Sequence, residues 1–200
     1  MKSSNEPAAM YHKGNRALQE RFGSTALADR LVEKLHRTAF TEADKAFIES
    51  QAFFFLATAD AAGNPDCSFK GGPPGFVRIT GPSELIWPDY DGNGMFKSLG
   101  NIQANPSIGL LFIAMEERPR RLRVNGRATL FFDDPAMAEF AGAQALIRLR
   151  AEHIFPNCPR YIPDLKNGAQ SPYTPGAAPR LEPAWKAAED FRDVVPARKA

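Results

Sequence analysis

The chain has 200 residues, 44% of them apolar and 24% charged, with a formal net charge of +2. That balance is ordinary for a globular protein and too neutral to announce a nucleic-acid partner. No apolar run reaches the ~18 to 20 residues that a transmembrane helix needs, so no membrane partner is expected.

The N-terminal stretch MKSSNEPAAMYHKGN has no apolar run of signal-peptide type, and a cytoplasmic location is the expectation. Residues 1–24 are polar and read as an arm. Residues 25–51 read as a helical lead-in. Leu27, Leu31, Val32 and Leu35 recur at helical spacing, and a second helix is announced by Thr41 with Asp44 three residues later, with Phe47 and Ile48 as its buried face.

From residue 52 the pattern becomes β. AFFFLATAD is a strand, AAGNP a turn, and DCSFK a short second strand. GGPPG cannot be regular structure, because its prolines lack donors and its glycines lack stiffness. FVRIT, GPS and ELIWP read as a hairpin with a three-residue connection, followed by the glycine loop DYDGNG. MFKSLGNIQA is a short helix stopped by Asn105-Pro106. SIGLLFIAM is an apolar strand, and RRLRVNGRATLFF alternates apolar residues with arginines. Asp134-Pro135 starts another short helix, with Asp134 as the N-cap. ALIRLRAEHIF reads as strand or helix, its alternation favouring a strand. Residues 52–155 thus form the main domain, and 156–200 an irregular extension with a terminal helix at PAWKAAEDFRDV.

The chemistry concentrates where the glycine loop enters its helix. Lys97 and Ser98 stand in the first turn, where backbone N–H groups and the helix dipole favour an anion. Gly92 and Gly94 permit close backbone approach. By spacing alone, the same loop also reads as an ordinary turn. Lys70 and Arg78 lie on preceding strands and would converge on the loop if those strands are adjacent; otherwise they are solvated strand edges. Arg120, Arg121 and Arg123 form a further basic cluster, or a polar rim.

Other chemistries fit less well. His12, His36 and His153 lack ligand spacing, so no metal site is expected. Cys67 and Cys158 are far apart with no CxxC spacing; both are expected reduced, with Cys67 a buried or half-buried structural thiol. Ser68 has no nucleophile elbow around it. Most of the 15 phenylalanines sit in apolar runs and read as core, which sets aside single-strand nucleic-acid binding.

Three runs carry a family resemblance: FFFLATADAAGNPDCSFKGGPPGFVRI, ELIWPDYDGNGMFKSLGNIQANPSIGLLFI and RLRVNGRATL. In this order, over about residues 50–133, they resemble the pyridoxamine 5'-phosphate oxidase-like family of FMN-binding split barrels, in a branch other than the vitamin B6 enzyme itself. The resemblance implies a mainly β fold with peripheral helices, a split β-barrel. It also implies a homodimer with FMN sites at the subunit interface. Lys97 and Ser98 fall where the family has an Arg-Lys pair on the FMN phosphate, so one charge is missing here. Arg78 falls near another basic contact, Trp87 and Pro88 on a strand lining the flavin, and Asn101 where the family uses Gln towards the ring. Ser68 and Lys70 belong to an S-x-[KR]-G element, an extra phosphate grip. Asn93, in the loop, and Arg121 and Arg123, reaching a flavin in the partner, complete the expected cofactor set.

The implied activity is that of an FMN-dependent oxidoreductase with a small-molecule substrate or electron donor. The alternatives are a non-catalytic flavin storage or sensing protein, or a deazaflavin-dependent reductase. The vitamin B6 reaction is not expected, because the end AWKAAEDFRDVVPARKA lacks the family's terminal Trp and Arg arrangement for the substrate phosphate.

Overall fold

In the computed structural model, which describes residues 10–168 and 182–195, the first regular element is a helix, α1 (Lys13–Arg21). The expected arm is therefore partly helical. A capping box explains it: the His12 Nδ1 atom accepts from Gly14 N at 3.1 Å, and Asn15 Oδ1 accepts from His12 N at 3.1 Å. The helix has no buried residue, so it carries no apolar stripe by which a sequence pattern would find it. α2 (Thr25–Leu35) follows, tied to α1 by the Arg16–Asp29 ion pair at 2.6 Å. These helices belong to one compact unit with residues 115–120 and the C-terminal part from 158; residues 37–114 and 121–157 form the other.

The second unit begins with α3 (Glu42–Ser50), capped as expected by Thr41 and Asp44 in reciprocal bonds of 3.1 Å. Asp44 is 2% exposed and also accepts two bonds from Arg37, at 2.8 and 2.9 Å, so its buried charge is matched. Next come β1 (Phe53–Ala59), β2 (Pro65–Gly71), β3 (Arg78–Gly81), β4 (Glu84–Tyr90), α4 (Lys97–Ala104), β5 (Ser107–Ala114), β6 (Arg120–Phe131) and β7 (Ala143–Pro156). They form one seven-stranded sheet in the order β2-β1-β5-β6-β7-β4-β3. The turn between β1 and β2 is held by Asp60, which accepts from the backbone N–H groups of Ala62 and Asn64 at 2.9 Å. Its bond from the Asn64 side chain is the main reason its carboxyl is held below the usual range.

The core shows how this sheet is shaped. Phe54, on β1, touches Trp87, on β4, with ring centroids 5.5 Å apart, and Phe112, on β5, at 5.3 Å. β1 and β4 stand four places apart in the strand order, so the sheet curls over and its inward faces meet. The end strands β2 and β3 do not pair, which leaves the barrel split. Phe54, Trp87, Phe112, Leu122 and Ile147 fill the interior at 1% exposure or less. Gly126 marks a close approach of β6 to β7: a Cβ there would lie 2.0 Å from the Arg150 carbonyl oxygen. The register shifts beside it, between Asn125 and Gly126.

Several boundaries differ from expectation. The β3–β4 connection is two residues, Pro82 and Ser83, with an irregularity between Ile79 and Gly81. β4 runs on through Asp89 and Tyr90, which pair with Ala145 and Ala143 rather than joining the glycine loop. The ambiguous ALIRLRAEHIF segment is a strand, and the element after Asp134 is a 3-10 turn over Pro135–Glu139. Asp134 caps that turn, accepting from Ala136 N at 2.9 Å. The expected terminal helix is a 3-10 turn, Ala184–Ala187, followed by further turns. Trp185 and Phe191 pack edge to face at 5.7 Å. Six residues apart, they would lie on different faces of an α-helix, so this contact and a regular helix exclude each other. Among the described residues, no helix is long and apolar enough to cross a membrane.

Candidate functional site

The curl of the sheet brings the edge strand β2 towards β4, with α4 beside both. Strand alternation turns Asp66, Ser68 and Lys70 to one side of β2, and β4 contributes Asp89 and Tyr90. The loop from Asp91 to Phe96 leads into α4 and lines the same space. Asn93 shapes it, its Oδ1 accepting from Met95 N at 3.0 Å. Phe96, the N-cap, has φ of 50°, a left-handed conformation uncommon in a residue with a side chain. It makes no side-chain cap bond, so no side chain of the cap satisfies the N–H groups of the first turn.

These elements enclose a cavity of about 420 Å³. At its base, Ser68 Oγ and Ser98 Oγ are 2.9 Å apart, one from β2 and one from α4. Lys97 lines the same space and has no ion pair among the described residues, although it acts on Asp60 at longer range. Lys70 Nζ lies 3.7 Å from Asp89 Oδ1. Gln144, from β7, donates to Asp89 Oδ2 at 2.9 Å and to the Tyr90 carbonyl at 3.1 Å. Phe69, Met95 and Phe96 are exposed at the rim, with Phe69 at 62% and Phe96 at 55%.

Of the expected cofactor residues, the fold gathers Ser68, Lys70, Asn93, Lys97 and Ser98 around this cavity. The others lie elsewhere. Arg78 pairs with Glu139, donates to the Gly75 carbonyl at 3.2 Å and stacks 4.3 Å over Phe140. Trp87 and Pro88 are buried, Trp87 in the core. Asn101 is 5% exposed and donates to Thr58 Oγ1 at 3.0 Å, which fastens α4 to β1. Arg121 is half-buried on β6, and Arg123 is exposed there. Cys67 corrects its expectation: it is exposed, because the alternation that turns Ser68 and Lys70 to the cavity turns Cys67 away. Cys158 is a half-buried free thiol that accepts from Trp185 Nε1 at 3.3 Å.

Sequence reasoning missed Asp66, Asp89, Asp91 and Gln144. Asp66 was legible, two residues before Ser68 on one strand. Asp89 needed the longer β4. Gln144 stands 55 positions from Asp89 and gave no local signal.

The family model for pyridoxamine 5'-phosphate oxidase matches residues 40–168. No curated protein matches the chain. Among solved structures, HupZ from Group A Streptococcus is 22% identical, over 66% of this chain and 98% of its own, with a TM-score of 0.48. General Stress Protein 26 from Bacillus anthracis is 15% identical, over 68% and 97%, at 0.43. An FAD-binding protein from Mesorhizobium loti is 13% identical, over 62% and 99%, at 0.42. Scores this low say nothing about ligands. The family match does not depend on them: it spans well over half of the 200 residues and takes in every strand of the curled sheet and the whole cavity. This split barrel with its peripheral helices therefore belongs to the pyridoxamine 5'-phosphate oxidase family.

Proposed function

We propose that the chain is a flavoprotein that binds FMN in the cavity beside α4 and acts as an oxidoreductase. One observation carries the reading: Lys97, without an ion pair among the described residues, stands with the Ser68 and Ser98 hydroxyls at a helix start that has no side-chain cap. Charge-assisted contacts of this kind suit a phosphate. The cavity volume is in the range of small-molecule sites, and Tyr90 and Phe96 supply aromatic surface for a planar ring. The donor set therefore fits the phosphate end of the ligand. When bound, the flavin supplies the hydride or electron chemistry. The chain's own residues hold the phosphate, place the ring and limit its exposure to water.

The active form in this reading is a cytoplasmic homodimer with flavin sites at the subunit interface. The outward face of β1, β2 and β5 supports it. Phe53 stacks on Phe69 at 5.4 Å, Phe55 meets Phe69 edge-on at 6.1 Å, and Phe55 pairs with Leu111 across the strands. Such a strip is apolar surface of the kind that a second copy covers. Arg121 and Arg123 would then reach the partner's flavin. The substrate is a small molecule other than pyridoxamine 5'-phosphate. Trp185 is engaged by Phe191 and Cys158, and Lys186 by Glu182 at 2.7 Å, so these residues do not form a second phosphate pocket.

The test is titration of the flavin-free protein with FMN. Quenching of flavin fluorescence together with thermal stabilisation is the expected result, since a ligand specific for the native state must stabilise it. Absence of both overturns the reading. Aerobic and anaerobic NAD(P)H oxidation then separates an oxidoreductase from a passive flavin carrier.

A further inference from the structure

The sequence places Lys70 as a second phosphate grip, but the geometry gives its charge another use. Asp89 is 8% exposed, and a buried carboxylate needs hydrogen bonds or a counter-charge. Gln144 holds one oxygen at 2.9 Å and is itself anchored on the Tyr90 carbonyl at 3.1 Å. The other oxygen faces Lys70 at 3.7 Å. A phosphate arriving at Lys97 and the two serines would compete with this fixed carboxylate for the Lys70 ammonium. The rest of the lining does not redress the balance: Lys70 and Lys97 face Asp66, Asp89 and Asp91.

We propose that Asp89 is a specificity-determining residue that withholds Lys70 from the ligand phosphate and keeps the grip weak. The phosphate is then held by Lys97 as the sole uncommitted cation of the lining. The ligand class is a phosphorylated flavin that exchanges between protein and solution rather than one retained for the life of the protein. This inference rests on the flavin reading above.

The experiment is a fluorescence titration of FMN and riboflavin against the full chain and its Asp89→Asn, Lys70→Ala and doubly substituted forms. Asn preserves the shape of Asp and can still accept from Gln144, but carries no charge. Asp89→Asn is expected to raise FMN affinity about tenfold, the worth of one charge-assisted contact, with riboflavin changed less than about threefold. Lys70→Ala alone should lower FMN affinity less than about threefold, yet remove the gain in the double form. An unchanged or lowered FMN-to-riboflavin ratio in Asp89→Asn overturns the proposal. So does a tenfold FMN loss in Lys70→Ala alone, which decides the matter even if Asp89→Asn fails to fold. If no folded form binds either flavin, the flavin reading fails instead. The Asp89 claim is then judged with inorganic pyrophosphate, which should stabilise Asp89→Asn against heat more than the unsubstituted chain; equal stabilisation overturns it.

Discussion

Arg78 and Arg148 lie around the 3-10 turn that follows β6, whereas Lys70 and Lys97 lie at the cavity beside α4. Around the turn, each cation is matched. Arg78 pairs with Glu139 and stacks over Phe140. Arg148 donates to Asp134 at 2.7 and 2.9 Å and to Glu84 at 3.2 Å, over the Phe131 ring at 5.5 Å. Its bond to Asp134 is the main reason its pKa is raised above the ordinary arginine value. At the cavity, Lys70 is partnered by Asp89, but Lys97 has no carboxylate in contact among the described residues. The same residue class therefore does two jobs. A matched cation is spent within the fold, where it joins neighbouring segments, and an unmatched one beside open space is available to a ligand.

The largest expected effect is at Lys97. Lys97→Ala should weaken FMN binding by about 1.5 to 3 kcal/mol, the range for a hydrogen bond to a charged group. Riboflavin, which lacks the phosphate, should be nearly unaffected, and isothermal titration of both ligands reads the difference. Equal weakening would mean that Lys97 does not hold the phosphate.

Arg148→Ala should act on the fold instead. It removes the partner of Asp134 and Glu84, and urea unfolding should show a loss of about 1 to 2 kcal/mol. Flavin affinity should stay within about twofold, because the contacts of Arg148 lie apart from the cavity lining. Arg78→Ala should cost less, up to about 1 kcal/mol, since its ion pair is exposed and its ring contact modest. This substitution tests the comparison directly, because the family resemblance implies a place for Arg78 at the cofactor. A tenfold fall in FMN affinity would return it there.

The smallest expected effect is one of pH. The Asp134 carboxyl is held below the usual carboxylate range, chiefly by the Ala136 N–H and then by Arg148. A depressed folded value means stabilisation that is complete above the unfolded pKa and lost as pH falls through the folded one. Unfolding midpoints measured between about pH 5 and pH 2 should therefore fall less steeply in Asp134→Asn than in the unsubstituted chain. Parallel curves would remove Asp134 from the acid response.

Features that depend on neighbours a few positions away are legible in the chain's local chemistry. Thr41 and Asp44 cap α3 as read, because a capping box is a bond between residues three apart. The turn at AAGNP between β1 and β2 is present, although Asp60, read as strand, belongs to it, and the strand alternation of Ser68 and Lys70 follows from the period of two. The glycine loop and the start of α4 with Lys97 and Ser98 were legible in the same way. Where local signals were absent, as in the apolar-poor α1, or were overridden by a contact such as that of Trp185 with Phe191, the reading missed.

Which of the basic residues share a cavity depends on long-range packing. Ser68 meets Ser98 across 30 positions because α4 packs against β1 and β2, and Gln144 meets Asp89 across 55 because β4 is laid against β7. No periodicity records such distances. It was also tertiary packing that took Arg78 to Glu139 and Phe140, and Asn101 to Thr58. Short-range chemistry sets what each segment becomes; the curvature of the sheet sets which segments meet, and so whether a charge faces a carboxylate or an open space.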